Sequence, residues 1–156
     1  MFNELIVFAA KYLFLAILAA AFVYWIVAPL PTKKYLLILG IVVGAASLGA
    51  GRLIAHFYFD PRPFVSGHFT PLIPHEPDNG FPSDHTLLSS AVAATVTACN
   101  PALGIALWVV TLIVGVARVS SGLHHPIDVA GSILIAAAAA AVAHWALRRY
   151  KRSGSA

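Results

Sequence analysis

Apolar residues fill five stretches of the chain, at about 5–30, 35–58, 86–99, 102–117 and 127–147. Polar breaks separate them: Pro31-Thr32-Lys33-Lys34, a long insert over 59–83, Asn100-Pro101, and 120–126. Runs of this length, apolar on every face, predict five membrane-crossing helices rather than amphipathic surface helices. The third and fourth runs fall short of the about 20 apolar residues that a span needs. They are therefore expected to borrow flanking polar residues that sit in the interface or in a cavity. Ala136 to Ala141, with Ala143, makes the last helix narrow, which suits close helix contact in lipid. No repeat or linker interrupts the pattern, so the expectation is an all-α, polytopic integral membrane bundle forming a single domain over 1–156.

Composition strengthens this reading. Of 156 residues, 60% are hydrophobic and only 10% charged, and mean hydropathy is +0.84. Sixteen charged side chains are too few to shield such a chain from water, which excludes an ordinary soluble domain. Met1 to Glu4 offers no basic leader, and the run from Leu5 to Leu30 is too long for a signal-peptide core, so it is read as a retained span. The net charge of +4 has no basic patch with interleaved aromatics behind it, so no nucleic-acid partner is expected. A lone Cys99 forms no internal disulfide, and nothing near it suggests a redox or zinc site.

The basic residues set an orientation. Lys33 and Lys34 lie in the first break, and Arg148, Arg149, Lys151 and Arg152 lie near the end of the chain. With five spans these two regions share a side, and their Lys and Arg excess marks it as cytoplasmic. All six acids (Glu4, Asp60, Glu76, Asp78, Asp84 and Asp128) then fall at or near the opposite face, together with the 59–83 and 119–126 segments.

Those two segments hold the candidate chemistry. They contain Arg62-Pro63, then Pro82-Ser83-Asp84-His85, then Arg118 followed six residues later by His124 and ten later by Asp128. Ionisable groups at membrane depth are costly and point to function. Arginine forks bind phosphate oxygens and keep their charge. A histidine with a carboxylate partner is held in the tautomer that exposes its other nitrogen for attack. With Pro126 in the first turn of the last helix, His124 sits just before that helix and Asp128 in its first turns. Ser83 or Asp84 is expected to cap the third span, leaving free N–H groups to face an anion, with His85 in that first turn able to protonate a leaving oxygen.

In this order the residues resemble the phosphatidic acid phosphatase type 2 superfamily, with its basic residue upstream of Arg-Pro, its Pro-Ser-x-His and its Arg-x5-His-x3-Asp. Arg62-Pro63-Phe64 and the segment from Leu72 through Asp78-Asn79-Gly80-Phe81-Pro82-Ser83-Asp84-His85-Thr86 look, more narrowly, like bacterial undecaprenyl-diphosphate phosphatases. The resemblance implies a membrane-embedded lipid phosphatase in the bacterial cytoplasmic membrane, with its site on the outer face. Its substrate would be a polyprenyl diphosphate, hydrolysed through a phosphohistidine. It makes His124 the nucleophile, Asp128 its orienting partner and His85 the general acid and then base. Arg62, Arg118 and Ser83 would hold the phosphoryl oxygens, with Gly122 letting backbone N–H groups approach. It implies no cofactor and no metal. Phosphatidylglycerol phosphate, phosphatidic acid and lipid A phosphates are alternative substrates, and a non-catalytic headgroup-binding transporter is the alternative from another class.

Two positions depart from the pattern. Where the family commonly has Lys seven residues before the Arg of Arg-Pro, this chain has Ala55, and Ala117 replaces the Ser that often precedes the third-motif Arg. Arg52, nearly on the helical face of position 55, is the candidate substitute for the lysine. Ser66-Gly67-His68 reads as loop, and His75, Glu76 and Asp78 as solvated loop or headgroup contacts rather than metal ligands. His125 is set aside by the six-residue spacing from Arg118. His144 is expected to bond locally, Lys11 to snorkel, and Trp25, Trp108 and Trp145 to anchor helices.

Overall fold

The computed structural model describes residues 1–153, without the side chains of Lys151 and Arg152. Five long or medium helices and one short turn of helix account for most of it: α1 Phe2–Val27, α2 Leu30–Phe57, α3 Pro63–Ser66, α4 Asp84–Thr97, α5 Pro101–Ser120 and α6 Pro126–Ser153. Prolines punctuate the chain. Pro31, Pro63, Pro101 and Pro126 each lie in the first turn of a helix, where the missing N–H has no partner to lose. Asn100 adds a side-chain cap, accepting from the Leu103 N–H at 3.1 Å. One expectation needs correcting here: Pro31 to Lys34 is not a loop but the opening of α2, and the break is the extended pair Ala28-Pro29. A residue before proline is pushed out of the helical region, so α1 stops there.

Among the described residues, four helices are long and apolar enough to cross a membrane: α1, α2, α5 and α6. The fifth predicted span, α4, has 14 residues and reaches only about 21 Å at the usual helical rise. It is the central helix, packed against α1, α2, α5 and α6. Two clusters meet on it: Leu87 and Ala91 join Leu39 and Val43 of α2 and Ala136 and Ala140 of α6, while Ala93 and Val96 join Ile17 of α1 and Leu107 and Val114 of α5. Being enclosed by protein, α4 has no need to match the bilayer thickness. Its C-terminal end nevertheless reaches the far face, where Thr97 and Cys99 share a pocket with Tyr35 at the start of α2 and with His144 and Arg148 near the end of α6.

Burial is inverted relative to a soluble protein. Large side chains such as Phe8, Phe22, Ile41, Leu53, Leu112 and Leu134 face outward, while Arg62, Arg118, His124 and Asp128 are all at most 5% exposed. Together with the spans, this makes the chain a membrane protein. The direction of the helices brings the start of α1, the 58–83 segment and the 121–125 connection to one end, with the α1–α2 junction and the end of α6 at the other. His144 bonds locally, its Nδ1 2.7 Å from the Tyr35 hydroxyl, and Trp25 and Trp145 lie against Lys33 and Arg149.

Close helix approach depends on missing side chains. A Cβ on Gly115 of α5 would meet Val129 Cγ1 of α6 at 2.6 Å, whereas one on Gly49 of α2 would meet nothing within 4 Å. Gly115→Ala is therefore expected to destabilise the bundle by about 1–3 kcal/mol, and Gly49→Ala to stabilise it by up to about 1 kcal/mol through helix propensity. Thermal unfolding of the purified protein in detergent measures both.

Candidate active site

The three motif segments meet in one pocket of about 290 Å³, lined by Arg52 and Ala55 of α2, Arg62, the 75–82 segment, Asp84 and His85 of α4, Arg118 of α5, and His124. Each arrives by a local device. Arg118 is in the last turn of α5, and the chain then turns through Gly122 at φ 77°, a left-handed conformation that favours glycine. The Gly122 N–H is used on the Val119 carbonyl at 2.9 Å, and the Phe69 ring sits where a Cβ would be. Gly122 does not line this pocket; its place is the turn that delivers Leu123 and His124.

His124 is held on both ring nitrogens. Nδ1 lies 2.9 Å from the Gly80 carbonyl and 3.4 Å from Asp128 Oδ2. The shorter contact decides the tautomer: a carbonyl only accepts, so Nδ1 carries the proton and Nε2 keeps its lone pair. Asp128 is the secondary partner, anchored instead by the His125 N–H on Oδ2 at 2.8 Å. Around Nε2 stand two guanidiniums, with Arg118 Nη2 at 3.1 Å and Arg62 Nη1 at 3.3 Å. Arg62 is fixed further by the Leu123 carbonyl at 2.9 Å, while the Nε of Arg118 is buried with no hydrogen-bond partner. Burial holds His124 below the usual imidazole range; the Asp128 hydrogen bond opposes this, and the charges of Arg118 and Arg62 reinforce it.

Ser83 is fully buried as the N-cap residue of α4, its hydroxyl accepting from Thr86 at 3.1 Å rather than capping a backbone N–H. It does not line the pocket, although His85 two residues on does, with Phe14 of α1 packed edge-on to its ring at 4.7 Å. Arg52 does line it, on the wall that also carries Ala55. Asp78, expected to be solvated or to contact headgroups, is 58% exposed and also binds Arg62 Nε at 2.6 Å. Burial alone would raise the Asp78 carboxyl, but the hydrogen bond and charge of Arg62 hold it below its ordinary range. Ser66 closes α3 and His68 follows in a turn, apart from the pocket.

Three contributors had no role assigned to them by the motifs. Gly80 supplies the carbonyl to His124. Asn79 ties the end of α2 to the site by donating to the Tyr58 carbonyl at 2.9 Å and accepting from the Asp60 N–H at 3.0 Å. Asp60 pairs with His125 at 3.1 Å. Asn-Gly is a turn signal, and an acid two residues before Arg62 is a local oddity in so apolar a chain, but neither names its partner. Asp60, His125 and Asp128 also bring ligand-type atoms within 4.8 Å of one another, the one such group among the described residues. Hydrogen bonds between its members already join them.

Residues 35–152 match the PAP2 superfamily, and the chain belongs to it. Its enzyme class is that of a phosphatase. The chain is 35% identical over 134 residues, 86% of its length and 69% of the relative, to "Undecaprenyl-diphosphatase BcrC" of Bacillus subtilis (strain 168). It is 29% identical over 147 residues, 93% of its length and 71% of the relative, to "Bacitracin transport permease protein BcrC" of Bacillus licheniformis. It is also 30% identical over 132 residues, 84% of its length and 66% of the relative, to "Putative undecaprenyl-diphosphatase YbjG" of Escherichia coli (strain K12). No solved structure matches it.

The Arg62–Asp78 pair places a carboxylate where an anionic ligand would compete. Exposed pairs contribute about 0.2–1 kcal/mol, so Asp78→Asn is expected to tighten inorganic phosphate or vanadate binding about two- to fivefold. Competition of either anion with substrate hydrolysis measures it.

Proposed function

We propose that this phosphatase removes the terminal phosphate of undecaprenyl diphosphate at the outer face of a bacterial cytoplasmic membrane. The observation that carries the reading is the His124 ring, with Nδ1 committed to the Gly80 carbonyl and Nε2 facing Arg118 and Arg62. Nε2 attacks the terminal phosphorus in line with the bridging oxygen. The P–O bond to that oxygen breaks, His85 protonates it, and undecaprenyl monophosphate leaves. His85 then takes a proton from water, the water oxygen attacks the phosphohistidine, the N–P bond breaks and inorganic phosphate departs. Arg62 and Arg118 stabilise the equatorial oxygens in both steps, which is most of what phosphoryl transfer requires. Arg52 contributes a further cation on the α2 wall, in the role taken by the lysine absent at position 55. Ser83 acts from behind, through the capping turn of α4.

The printed names of the relatives support the diphosphate substrate. The sidedness rests on charge: Lys33, Lys34, Arg148 and Arg149 lie at the end of the bundle away from the pocket. One relative carries a transport-permease name, which keeps a headgroup-binding transporter as the second reading. The apolar packing of Leu87, Ala91, Ala93 and Val96 through the middle of the bundle favours chemistry at one end over passage across it.

The test is phosphate release by the purified protein from a panel of undecaprenyl diphosphate, phosphatidylglycerol phosphate, phosphatidic acid and lipid A phosphates. Undecaprenyl diphosphate is expected to be the preferred substrate. His124→Ala should lose at least about a thousandfold in kcat, as removal of a nucleophile does; a loss of only a few-fold would overturn the mechanism. Flux in proteoliposomes without hydrolysis would support the transporter.

The pH dependence follows from the state of His124. The nucleophile works neutral, and its protonation is pushed below the ordinary range by burial and the two arginines. Phosphoenzyme formation in a single turnover should therefore persist below pH about 6.5, the usual imidazole midpoint, and fall only at more acid pH.

A further inference from the structure

Asp60 lies outside all three motifs, in the segment between α2 and α3, yet its main chain is bound into the site on both sides. Its N–H donates to Asn79 Oδ1 at 3.0 Å, and its carbonyl accepts from the N–H of Gly80, the residue whose own carbonyl holds His124. The side chain is only 14% exposed, with Oδ2 3.1 Å from His125 Nδ1. On its other side is Asp128, fully buried, with a carboxylate oxygen of each residue within 4.8 Å of the other. Asp128 Oδ2 is used by the His125 N–H and faces His124, whereas Oδ1 is buried and no donor reaches it.

Two carboxylates this close and this shielded from water compete, and holding a proton on one of them relieves the repulsion. We infer that Asp60 is a positioning residue that keeps its proton and donates it to Asp128 Oδ1, so that the pair carries one negative charge directed through Oδ2 at His124. The bond satisfies the orphaned oxygen and fixes the carboxyl plane. His125, hydrogen-bonded to Asp60 through its ring and to Asp128 through its N–H, ties the pair to the connection that bears the nucleophile. Burial first, and then the adjoining Asp128, raise Asp60 above the usual carboxyl range, with His125 opposing. The charged or titratable groups around the pair are His124 and His125 on the 121–125 connection and Arg62 ahead of α3; Ser83 and Ser132 add neutral contacts to the Asp128 backbone.

The inference rests on the phosphohistidine reading, and His124→Ala in the same assay tests that reading separately. The full chain in detergent is given undecaprenyl diphosphate across pH 5–10, as wild type, Asp60→Ala, Asp60→Asn and His124→Ala. Asp60→Ala is expected to lower kcat about tenfold with KM within about twofold, as the loss of one buried donor behind the nucleophile would. Asp60→Asn keeps a donor for Asp128 and an acceptor for His125, and should recover most of that loss. It should also hold its rate to higher pH than wild type does, because an amide has no proton to lose. An Asp60→Ala rate equal to wild type, or an Asp60→Asn rate as low as that of Asp60→Ala, would overturn the inference. Loss of wild-type activity in EDTA with recovery in a divalent cation would also overturn it, since a cation would then bridge the carboxylates. The asparagine variant is nearly isosteric, so its pH profile decides the matter even where the alanine variant fails to fold.

Discussion

Two guanidinium groups meet one imidazole nitrogen inside an apolar bundle, and the rest of the structure exists around that contact. Arg118 and Arg62 stand within 3.3 Å of His124 Nε2 while being almost wholly removed from solvent. Burying two like charges side by side is expensive unless counter-charges and acceptors lie close. Asp78, the Leu123 carbonyl and Asp128 supply part of that compensation, and an incoming phosphoryl group would supply the remainder. The same desolvation that makes the cluster costly lowers the proton affinity of His124, which favours the neutral form that the proposed nucleophile needs.

The helices are arranged to make this cluster possible. α4 is too short to cross a bilayer alone, but being surrounded by its neighbours it can start deep enough to put Ser83 and His85 beside the α5–α6 connection. Its polar residues, Thr86, Ser89, Ser90 and Thr95, are buried among helices rather than lipid. The 58–83 segment then folds over this end, stitched by Asn79 to the end of α2 and by Leu72 to Ser121. Irregular backbone at this depth is tolerated because it is enclosed by protein and hydrogen-bonded to it.

Five helices, their order and the sorting of charge to two ends followed from the sequence, because the hydrophobic requirement of lipid writes itself as long apolar runs and prolines mark where helices can begin. The pairing of Arg118, His124 and Asp128 was also legible, since their spacing puts them on either side of a single short connection. One local reading failed for a local reason. Pro31 to Lys34 looked like a break because proline and charge imitate one, although a first helical turn accepts both. Gly122, expected to let backbone N–H groups approach the phosphate, spends its own N–H in closing the turn.

What only the tertiary structure decided is which groups support the histidine. The Gly80 carbonyl lies 44 residues from His124 along the chain, and Asp60 lies 65 from His125. Contacts at such separations arise from how an irregular segment packs, and no periodicity records them. By itself the sequence determined that charge had to gather at the two ends of an apolar bundle, because lipid penalises it between them. The fold decided how that charge is paired, because hydrogen-bond geometry and desolvation act over a few ångströms and depend on atoms that only packing brings together.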